Sequence, residues 1–332
     1  MVDVARIGDV AADTGLSATT VSHALSGRRP VSEQTRQRVL ASVAKLGYRP
    51  NLVAKALRDR ATLTVAVIVA DIANPFYPVL TGALNRRLSA EGYVSFICNT
   101  DGLAELEERF LLEMCDRNVD GIVVQTRATD VRRIREMAGP AMPLVILTNE
   151  DVADDVDHVG IDDDRGIGAA VSHLVAGGRR RIGFISGPLG SEPGESRQQA
   201  FRTAMERDGR PVDEKLIGQA PYTREGGYAA FERMRREGGR FDALMCANDL
   251  MAIGAIDAAR ALGLRVPEDV AVIGFDDIET AGLMTPRLTT VRNPAASIGE
   301  AAADALLRRL HAPDAEPQRI ALPTELVVRD SA

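Results

Sequence analysis

Apolar residues recur at helical spacing in the first part of the chain. Ile7, Val10 and Ala11 make one apolar face, and Val21 and Leu25 make a second face four residues apart. Small and polar residues occupy the opposite side of the second segment. The pattern predicts two short amphipathic helices in close succession, the second with one face free to meet a flat surface such as the DNA major groove.

The residues around these segments favour helix boundaries. Gly15 can take the positive φ of a tight turn, and Ser17 can cap the helix that follows. A third helix is predicted to begin after Ser32 and to end at Gly47. Three short helices of this kind predict a small all-α helix-turn-helix domain.

Residues 50–60 form a separate predicted segment. Pro50 and Asn51 signal the start of a helix of about two turns, and a helix that short is marginal alone in water. We expect this segment to be a hinge helix that becomes ordered when it meets a second copy or a duplex.

From Leu63 onward the pattern changes to runs of β-branched and other apolar residues, typical of parallel strands buried on both faces. Helical stretches such as 78–90 and 103–117 separate the runs. The runs lie at residues 63–69, 93–97, 121–124, 144–147, 181–185, 243–246 and 270–274. Alternation of strand and helix over about 270 residues predicts an α/β body of two doubly wound lobes rather than one.

The predicted division of the chain follows from these elements. A break between lobes is expected near residues 159–166. The tail from residue 288, with a helix at 298–310 and two extended pieces, is expected to cross back between them. The predicted domains are 1–49 (helix-turn-helix), 50–60 (hinge helix) and 61–332 (effector binding and dimerisation), with lobe one at about 61–161 and 292–320 and lobe two at about 162–291 and 321–332.

Charge is distributed unevenly along the 332 residues. The whole chain has a net charge of −7. Residues 1–60 contain ten basic and five acidic residues, which gives +5, and the remainder gives −12. A basic head on an acidic body places affinity for phosphate groups in the head.

The sequence also argues against several classes of protein. Cys98, Cys115 and Cys246 are far apart and are interpreted as free thiols. The sequence has neither an apolar run of the roughly 20 residues that span a bilayer nor a secretory signal, so we expect a cytoplasmic protein without a membrane partner. We find no phosphate loop, zinc motif or nucleophile elbow, and therefore predict no enzyme, cofactor or metal site. The acidic run 162–164 near His158 is interpreted as a helix start rather than a metal site.

Several longer motifs resemble those of the lactose-repressor/galactose-repressor (LacI/GalR) family of transcription regulators. In the head they are DVAADTGLSATTVSHALSG, VSEQTRQRVLASVAKLGYRPN and LVAKAL, and in the body VAVIVADIANPFYPVL, VDGIVV, HLVAGGRRRIGFISGP, ANDLMAIGAI, VPEDVAVIGFDDIE, PRLTTVRNP and LPTELVVRDS. They occur in the family's order over essentially the whole chain. The resemblance implies a dimer with paired DNA-reading heads on bodies like a periplasmic sugar-binding protein, with a small effector in the cleft.

The resemblance also assigns roles in the head. Base reading falls on Ala18, Thr19 and His23, while the basic residues and Asn51 fix the register on phosphates. The family often carries Arg where this chain has His23, so the base read there is open. Leu57 is expected to enter the minor groove as an apolar wedge. The DNA-binding residues implied are Ser17, Ala18, Thr19, Ser22, His23, Arg28, Arg36, Asn51, Lys55 and Leu57.

Ligands of open parallel sheets bind beyond the carboxyl ends of the strands. The loops expected there are polar and flanked by two aromatic residues, which suits a polyhydroxylated molecule. An alternative role for Asn248 is to cap the helix 249–261, and an alternative role for Asp276 and Asp277 is to cap the following turn. The ligand-binding residues implied by the resemblance are Phe76, Asn149, Ser191, Arg197, Tyr222, Asn248 and Asp276.

The sequence thus predicts a sequence-specific DNA-binding regulator that represses transcription. We expect a homodimer that binds a pseudo-palindromic operator in double-stranded DNA and whose operator affinity is controlled by a sugar or sugar derivative. An alternative is a regulator of the same fold that responds to a nucleobase, a nucleoside or a protein co-effector. The leucine heptad tail that some relatives use to form tetramers does not follow residue 330, which favours the dimer.

Overall fold

The computed structural model describes residues 5–27, 29–49, 61–149, 155–188, 190 and 192–332. The chain forms two compact units, Met1–Thr62 and Leu63–Ala332. Each unit has hydrophobic core residues of its own.

The smaller unit is a three-helix domain. Its helices are α1 (Ile7–Thr14), α2 (Ala18–Ser26) and α3 (Glu33–Leu46). Val10, Val21, Ala24 and Val39 are buried at the centre of the domain. Leu25 is only partly buried, and Ala24 takes the fully buried position instead. Ala24 and Leu25 follow Val21 by three and four residues, and both spacings are near one helical turn of about 3.6 residues. The periodicity alone therefore does not decide which of the two is buried.

Local side-chain chemistry sets the boundaries of these helices, as predicted. The Ser17 hydroxyl accepts a hydrogen bond from the backbone N–H of Thr20 at 3.1 Å, and the Ser32 hydroxyl accepts one from Thr35 at 3.2 Å. Gly15 ends α1 with a φ of 63°, which is the left-handed conformation that glycine adopts without strain.

The larger unit is built on two six-stranded sheets, one in each lobe. The strands of the first sheet are β1 (Thr64–Val69), β2 (Val94–Asn99), β3 (Gly121–Val124), β4 (Leu144–Leu147), β5 (Asp157–Asp162) and β11 (Arg319–Pro323). The strands of the second are β6 (Ile182–Ser186), β7 (Ile217–Gln219), β8 (Ala243–Cys246), β9 (Ala271–Asp276), β10 (Thr289–Arg292) and β12 (Glu325–Val327).

Both sheets are doubly wound and mostly parallel. The strand orders are β11-β5-β4-β3-β1-β2 and β12-β10-β9-β8-β6-β7, with β12 antiparallel to β10. The helices are α4 (Phe76–Ala90), α5 (Ala104–Asp116), α6 (Val131–Ala138), α7 (Asp163–Ala176), α8 (Gly194–Arg207), α9 (Arg224–Arg236), α10 (Asp249–Ala261), α11 (Glu279–Leu283) and α12 (Ala295–His311), with a 3-10 turn at Glu214–Leu216. The predicted fold class, a helical head with an α/β body of two doubly wound sheets, is correct.

The predicted strands agree with the structure where the apolar run is continuous, and β3, β4 and β8 match to the residue. Strand β5 was not predicted because its first two residues, Asp157 and His158, are polar and nevertheless buried. The Asp157 carboxylate accepts hydrogen bonds from Arg308 Nη2 at 2.5 Å and from Arg309 Nε at 2.9 Å. These partners on α12 satisfy the buried charge and are about 150 positions away along the chain, so local pattern cannot reveal them.

The chain crosses between the lobes three times. The crossings lie between Asp162 and Asp163, between β10 and α12, and at Thr324 between β11 and β12. The Thr324 hydroxyl donates to the carbonyl of Asp162 at 2.5 Å, which joins two of the crossings. Loops at the carboxyl ends of β1, β3, β4, β8 and β9 therefore border one cleft.

Two further features concern the described part of the chain. No helix there is long and apolar enough to cross a bilayer. No group of three or more His, Cys, Asp or Glu side chains within the same residues is arranged to hold a metal ion.

Candidate ligand cleft and nucleic-acid face

Both lobes line the cleft with polar and aromatic side chains. The cleft offers about 80 Å³ to the centres of water-sized molecules, which is room for on the order of six waters. The first lobe contributes Asn74, Phe76, Tyr77, Gln125, Thr126, Arg127, Thr148 and Asn149. The second lobe contributes Glu192, Arg197, Tyr222, Asn248 and Asp276.

Arg197 on α8 is the most heavily engaged of these side chains, and only 5% of it is exposed. Its Nη1 donates to the carbonyl of Ala247 at 2.6 Å, and its guanidinium lies over the ring of Phe275, with Cζ 3.7 Å from the centroid. Its Nε and Nη2 lie 3.5 Å from Asp163 and 3.8 Å from Asp276. One buried cation is therefore held between two carboxylates and an aromatic face.

The two carboxylates are strongly affected by burial. Burial raises the pKa of Asp276 to about 6, against the opposing effect of the Arg197 charge. Burial also raises the pKa of Asp163, which accepts a hydrogen bond from the Ser196 hydroxyl at 2.9 Å. Asn293 donates to Asp276 from a crossing between the lobes, at 3.1 Å. Asp276 lines the cleft, so this end of it can accept hydrogen bonds from ligand hydroxyls.

Tyr222 has an occupied ring face and an unused hydroxyl. The Arg127 guanidinium lies over its ring, with Cζ 4.4 Å from the centroid. The Tyr222 hydroxyl is buried and has no hydrogen-bond partner among the described residues. Burial raises the pKa of Tyr222 to about 12. The hydroxyl therefore stays protonated at neutral pH and is a donor without an acceptor.

We expect the Tyr222→Phe variant to be as stable as the parent or slightly more stable, because a buried unpaired hydroxyl costs about 1–3 kcal/mol. Its affinity for the effector should fall, since the donor is lost while the ring remains. Thermal unfolding and titration calorimetry measure the two effects. Tyr222→Leu is the control, which also loses the ring and should be less stable. A clear decrease in the melting temperature of the Phe variant would contradict this interpretation.

Asn149 and Asn248 line the cleft but their amides are used within the protein. Asn149 donates to Asp163 at 2.7 Å and accepts from the backbone N–H of Ile161 at 2.7 Å. Asn248 accepts from the N–H of Met251 at 2.9 Å, so it caps α10, which was the alternative considered for it. Its amide also donates to the carbonyl of Tyr222. In this arrangement both side chains position other cleft residues.

The acidic residues after β9 do not cap a turn. Asp276 has a φ of 113° and receives the Asn293 hydrogen bond. Asp277 accepts from Arg292 Nε at 2.8 Å and from Arg329 Nη2 at 2.5 Å. Asp277, directly after β9, is therefore held by two guanidiniums. The turn-capping alternative is wrong for both carboxylates.

Phe76 supplies aromatic surface at the first turn of α4. Its ring packs edge-on against Tyr77, with centroids 5.2 Å apart. The Tyr77 hydroxyl is only slightly accessible and donates to the side-chain oxygen of Gln125 at 2.7 Å. This pair provides a face for the C–H surface of a ligand.

The sequence prediction placed Arg127 in a loop at the ligand site without selecting it as a binding residue, and it did not select Asp163. Arg127 lies in the loop after β3, which was recognised as polar, but Thr126 and Arg127 could not be ranked by pattern. Asp163 lies between Asp162, which caps α7, and Asp164, which is exposed. The three adjacent aspartates look alike in the sequence, and only the direction of α7 brings one of them, Asp163, against the buried Arg197 guanidinium.

The small unit presents the predicted nucleic-acid face on α2. Ala18 and Thr19 are exposed, and Ser22 and His23 are half-buried. They lie opposite the buried Val21, so one side of the helix is available for base edges. Ser17 is exposed but its hydroxyl is used as the cap of α2, and Arg36 on α3 is exposed.

Five of the predicted binding residues lie outside the described residues. They are Ser191 in the cleft loop and Arg28, Asn51, Lys55 and Leu57 in the head and the hinge segment.

Comparisons with known proteins match both units. The family model "Bacterial regulatory proteins, lacI family" matches residues 6–51, and the model "Periplasmic binding protein-like domain" matches residues 171–332. The ribose operon repressor of Escherichia coli (strain K12) is 33% identical over 331 residues, which is 99% of this chain and 100% of that protein.

Solved structures agree over the same length. A transcriptional regulator CelR–cellobiose complex is 32% identical with a TM-score of 0.75, covering 99% of this chain and 100% of that one. A Lac repressor dimer bound to operator and the anti-inducer ONPF is 26% identical with a TM-score of 0.88, covering 99% of both chains. The relatives are regulators, which is consistent with the prediction that this chain is not an enzyme. The chain belongs to the lacI family of bacterial regulatory proteins and is a DNA-binding transcriptional regulator.

Proposed function

We propose that this protein is a repressor whose affinity for its operator is controlled by a sugar or sugar derivative bound in the cleft. The observation that carries the proposal is the arrangement around Arg197. There the Arg197 guanidinium and the Asp276 carboxylate line a cavity flanked by Phe76 and Tyr222, and buried Asp163 lies 3.5 Å from the same guanidinium. Hydroxyl groups both donate and accept, and sugar rings have apolar C–H faces, so this combination suits a carbohydrate. The solved relative that contains cellobiose supports the same ligand class.

We further propose that the protein acts as a homodimer. Strand β2 is at the edge of the first sheet. Its side chains Val94, Phe96 and Ile97 are 60, 45 and 49% exposed, respectively. Leu112 on α5 is also exposed. Apolar residues on an open sheet edge favour association, and the Lac repressor in the solved structure is a dimer bound to operator. A dimer pairs two heads, which suits a pseudo-palindromic site.

The effector changes operator affinity through its contacts with both lobes. A ligand held between Arg197 of one lobe and Phe76 of the other favours the lobe arrangement that satisfies both contacts. It can shift the equilibrium only by its difference in affinity for the two arrangements. Because the function requires access to the bacterial chromosome, we place the protein in the cytoplasm.

The proposal is tested by selecting duplexes from a random pool with the full-length protein. Fluorescence thermal shift against separate panels of sugars and of nucleosides then searches for the effector. We expect enrichment of one twofold-symmetric sequence and a change in its affinity when a stabilising sugar is added. Stabilisation by nucleosides alone would favour the nucleobase alternative. Stabilisation by neither panel, with operator binding intact, would favour a protein co-effector.

The hinge segment gives a separate prediction. Leu57→Ala should lower operator affinity by about tenfold or more, because an apolar wedge kinks the minor groove and allows further contacts. The melting temperature of the free protein should be unchanged. Mobility-shift titration on the selected operator measures the loss, with Leu52→Ala as the neighbouring apolar control. Unchanged operator binding by the Leu57 variant would exclude the wedge.

A further inference from the structure

The two guanidiniums that line the cleft have different electrostatic surroundings. Arg197 lies 3.5 Å from Asp163 and 3.8 Å from Asp276. Arg127 forms no ion pair with any carboxylate among the described residues. The Arg197 guanidinium is therefore flanked by two acids at close range, whereas the Arg127 guanidinium has no ion pair within the described residues, although Glu192 and Glu195 share an adjoining cavity with it.

Arg127 is nevertheless held firmly in place. The buried Glu107 carboxylate accepts hydrogen bonds from the backbone N–H groups of Arg127 at 2.9 Å and Thr129 at 3.0 Å, and from the Thr126 hydroxyl at 3.1 Å. A buried acid thus organises the whole loop after β3. The Arg127 guanidinium is presented to the cleft by a rigid support, as a preformed binding site requires.

The contacts of the Arg127 side chain leave hydrogen-bonding capacity unused. Nη2 donates to the Tyr77 hydroxyl at 3.0 Å, and the guanidinium lies over the ring of Tyr222. Nε is buried without an acceptor. A phenol oxygen and an aromatic face compensate only part of the lost hydration of a cation.

Tyr222 adds a second unused donor at this end. Its hydroxyl is without a partner among the described residues, and the side chain is 94% buried, since only 6% is exposed. The hydroxyl lies against the start of α8, where a methyl group added to Gly194 would be 3.1 Å from it. The residue before α8 is Pro193, which has no side-chain oxygen to cap the helix. The first amides of a helix favour an anion.

We propose that the effector is an acidic sugar derivative, whose carboxylate or phosphate lies at the Arg127 and Tyr222 end of the cleft. This rests on the proposed function. The hydroxyl groups of the same molecule bind at the Arg197 and Asp276 end, where acceptors are in excess. The ligand is thereby oriented by charge. Its hydroxyl groups donate to the protein's carboxylate, and its own acidic group accepts from Arg127 and Tyr222.

A second cavity adjoins the cleft at Arg127. Glu192 and Glu195 line the adjoining mouth together with Arg127. These acids disfavour an anion in the mouth, so we place the anion on Arg127 and Tyr222 inside the cleft, where Glu192, which also lines the cleft, opposes its binding.

The experiment compares matched neutral and acidic sugars on the full-length protein by titration calorimetry. The pairs are glucose with glucuronate, galactose with galacturonate, glucitol with gluconate, and ribose with ribose 5-phosphate. We expect the acidic member of one pair to bind about tenfold or more tightly than its neutral partner. Binding of a carboxylate or of the phosphate identifies which acidic group the site takes.

Three variants separate ion pairing from general support of the cleft. Arg127→Gln should remove the preference for the acidic sugar while changing affinity for the neutral partner less than about threefold, and Arg127→Lys should restore part of it. Arg236→Gln, an exposed arginine outside the cleft, should behave as the parent. Glu192→Gln should strengthen binding of the acidic sugar.

Two results would overturn the assignment while leaving the proposed function intact. One is a neutral sugar that binds as tightly as its acidic partner. The other is an Arg127→Gln variant that weakens both members of a pair equally, which would make Arg127 a structural residue. If no sugar in either series binds, this inference fails, whereas the proposed function is decided by the wider sugar panel.

Discussion

Replacing Arg197 with methionine should abolish effector binding and lower the free energy of unfolding at pH 8 by about 3–5 kcal/mol. The side chain keeps most of its length, so the loss is chiefly one of charge. Asp163 and Asp276 would remain buried within the same site without the cation that lies 3.5 and 3.8 Å from them. The Ala247 carbonyl would also lose its donor. Breaking a buried charge cluster by removing one partner is among the most destabilising substitutions.

Urea denaturation at several pH values tests this directly. The destabilisation should be smaller at pH 5 than at pH 8, because burial raises the pKa of both carboxylates and lower pH favours their uncharged forms, which need no cation. Arg236→Met is the matched control on the surface, with no expected change. A second variant that adds Asp163→Asn to Arg197→Met should recover part of the stability. Equal losses at both pH values would show that packing, rather than charge, dominates at this position.

Replacing Asp276 with asparagine should make the free protein more stable at neutral pH while weakening effector binding by about tenfold or more. Burial raises the pKa of Asp276 from 3.8 to about 6, with Arg197 opposing the shift. The folded state therefore binds more protons than the unfolded state between those values, and stability falls as pH rises through this window. Ionised Asp276 thus costs the folded protein roughly 3 kcal/mol at pH 7. The asparagine variant avoids that cost.

The measurement is the free energy of unfolding of both proteins from pH 3.5 to 8. The difference between variant and parent should grow between about pH 4 and 6 and then level off. Effector affinity of the parent should rise over the same interval, because the ionised carboxylate is the better acceptor of hydroxyl groups. Asp277→Asn is the contrasting variant, expected to destabilise the protein. Asp277 is paired with Arg292 and Arg329, so the substitution removes the charge from two ion pairs. A difference between variant and parent that stays constant or shrinks from pH 4 to 6 would contradict the assignment.

Local chemistry predicts part of this molecule well. The Ser17 and Ser32 caps and the turn at Gly15 depend on neighbours within three residues, so the sequence indicates them directly. Continuous apolar strands such as β3 and β4 are equally visible, because both of their faces are buried. Strand β5 was not predicted, since Asp157 is buried only through arginines on a helix much later in the chain.

Local sequence pattern predicts only part of the cleft as well. The strand-end loops could be located from the pattern, and Arg197, Tyr222 and Asp276 do line one cavity. Which loop residue faces the cavity depends on helix direction and on buried supports. Glu107 is the clearest example. Its carboxylate is buried and accepts a hydrogen bond from the backbone of Arg127, 20 positions later in the chain. The amphipathic pattern of α5 reveals neither the burial nor this contact.

The threefold passage of the chain between the lobes has a consequence for modular exchange. Neither lobe is a continuous stretch, because β11 belongs to the first sheet and β12, two residues later, to the second. A recombination event that transplants a single lobe would need several simultaneous joints. Shuffling that joins a foreign head near residue 62 needs only one. New operator specificities should therefore arise by swapping heads, whereas new metabolite specificities must accumulate by point substitution within the body.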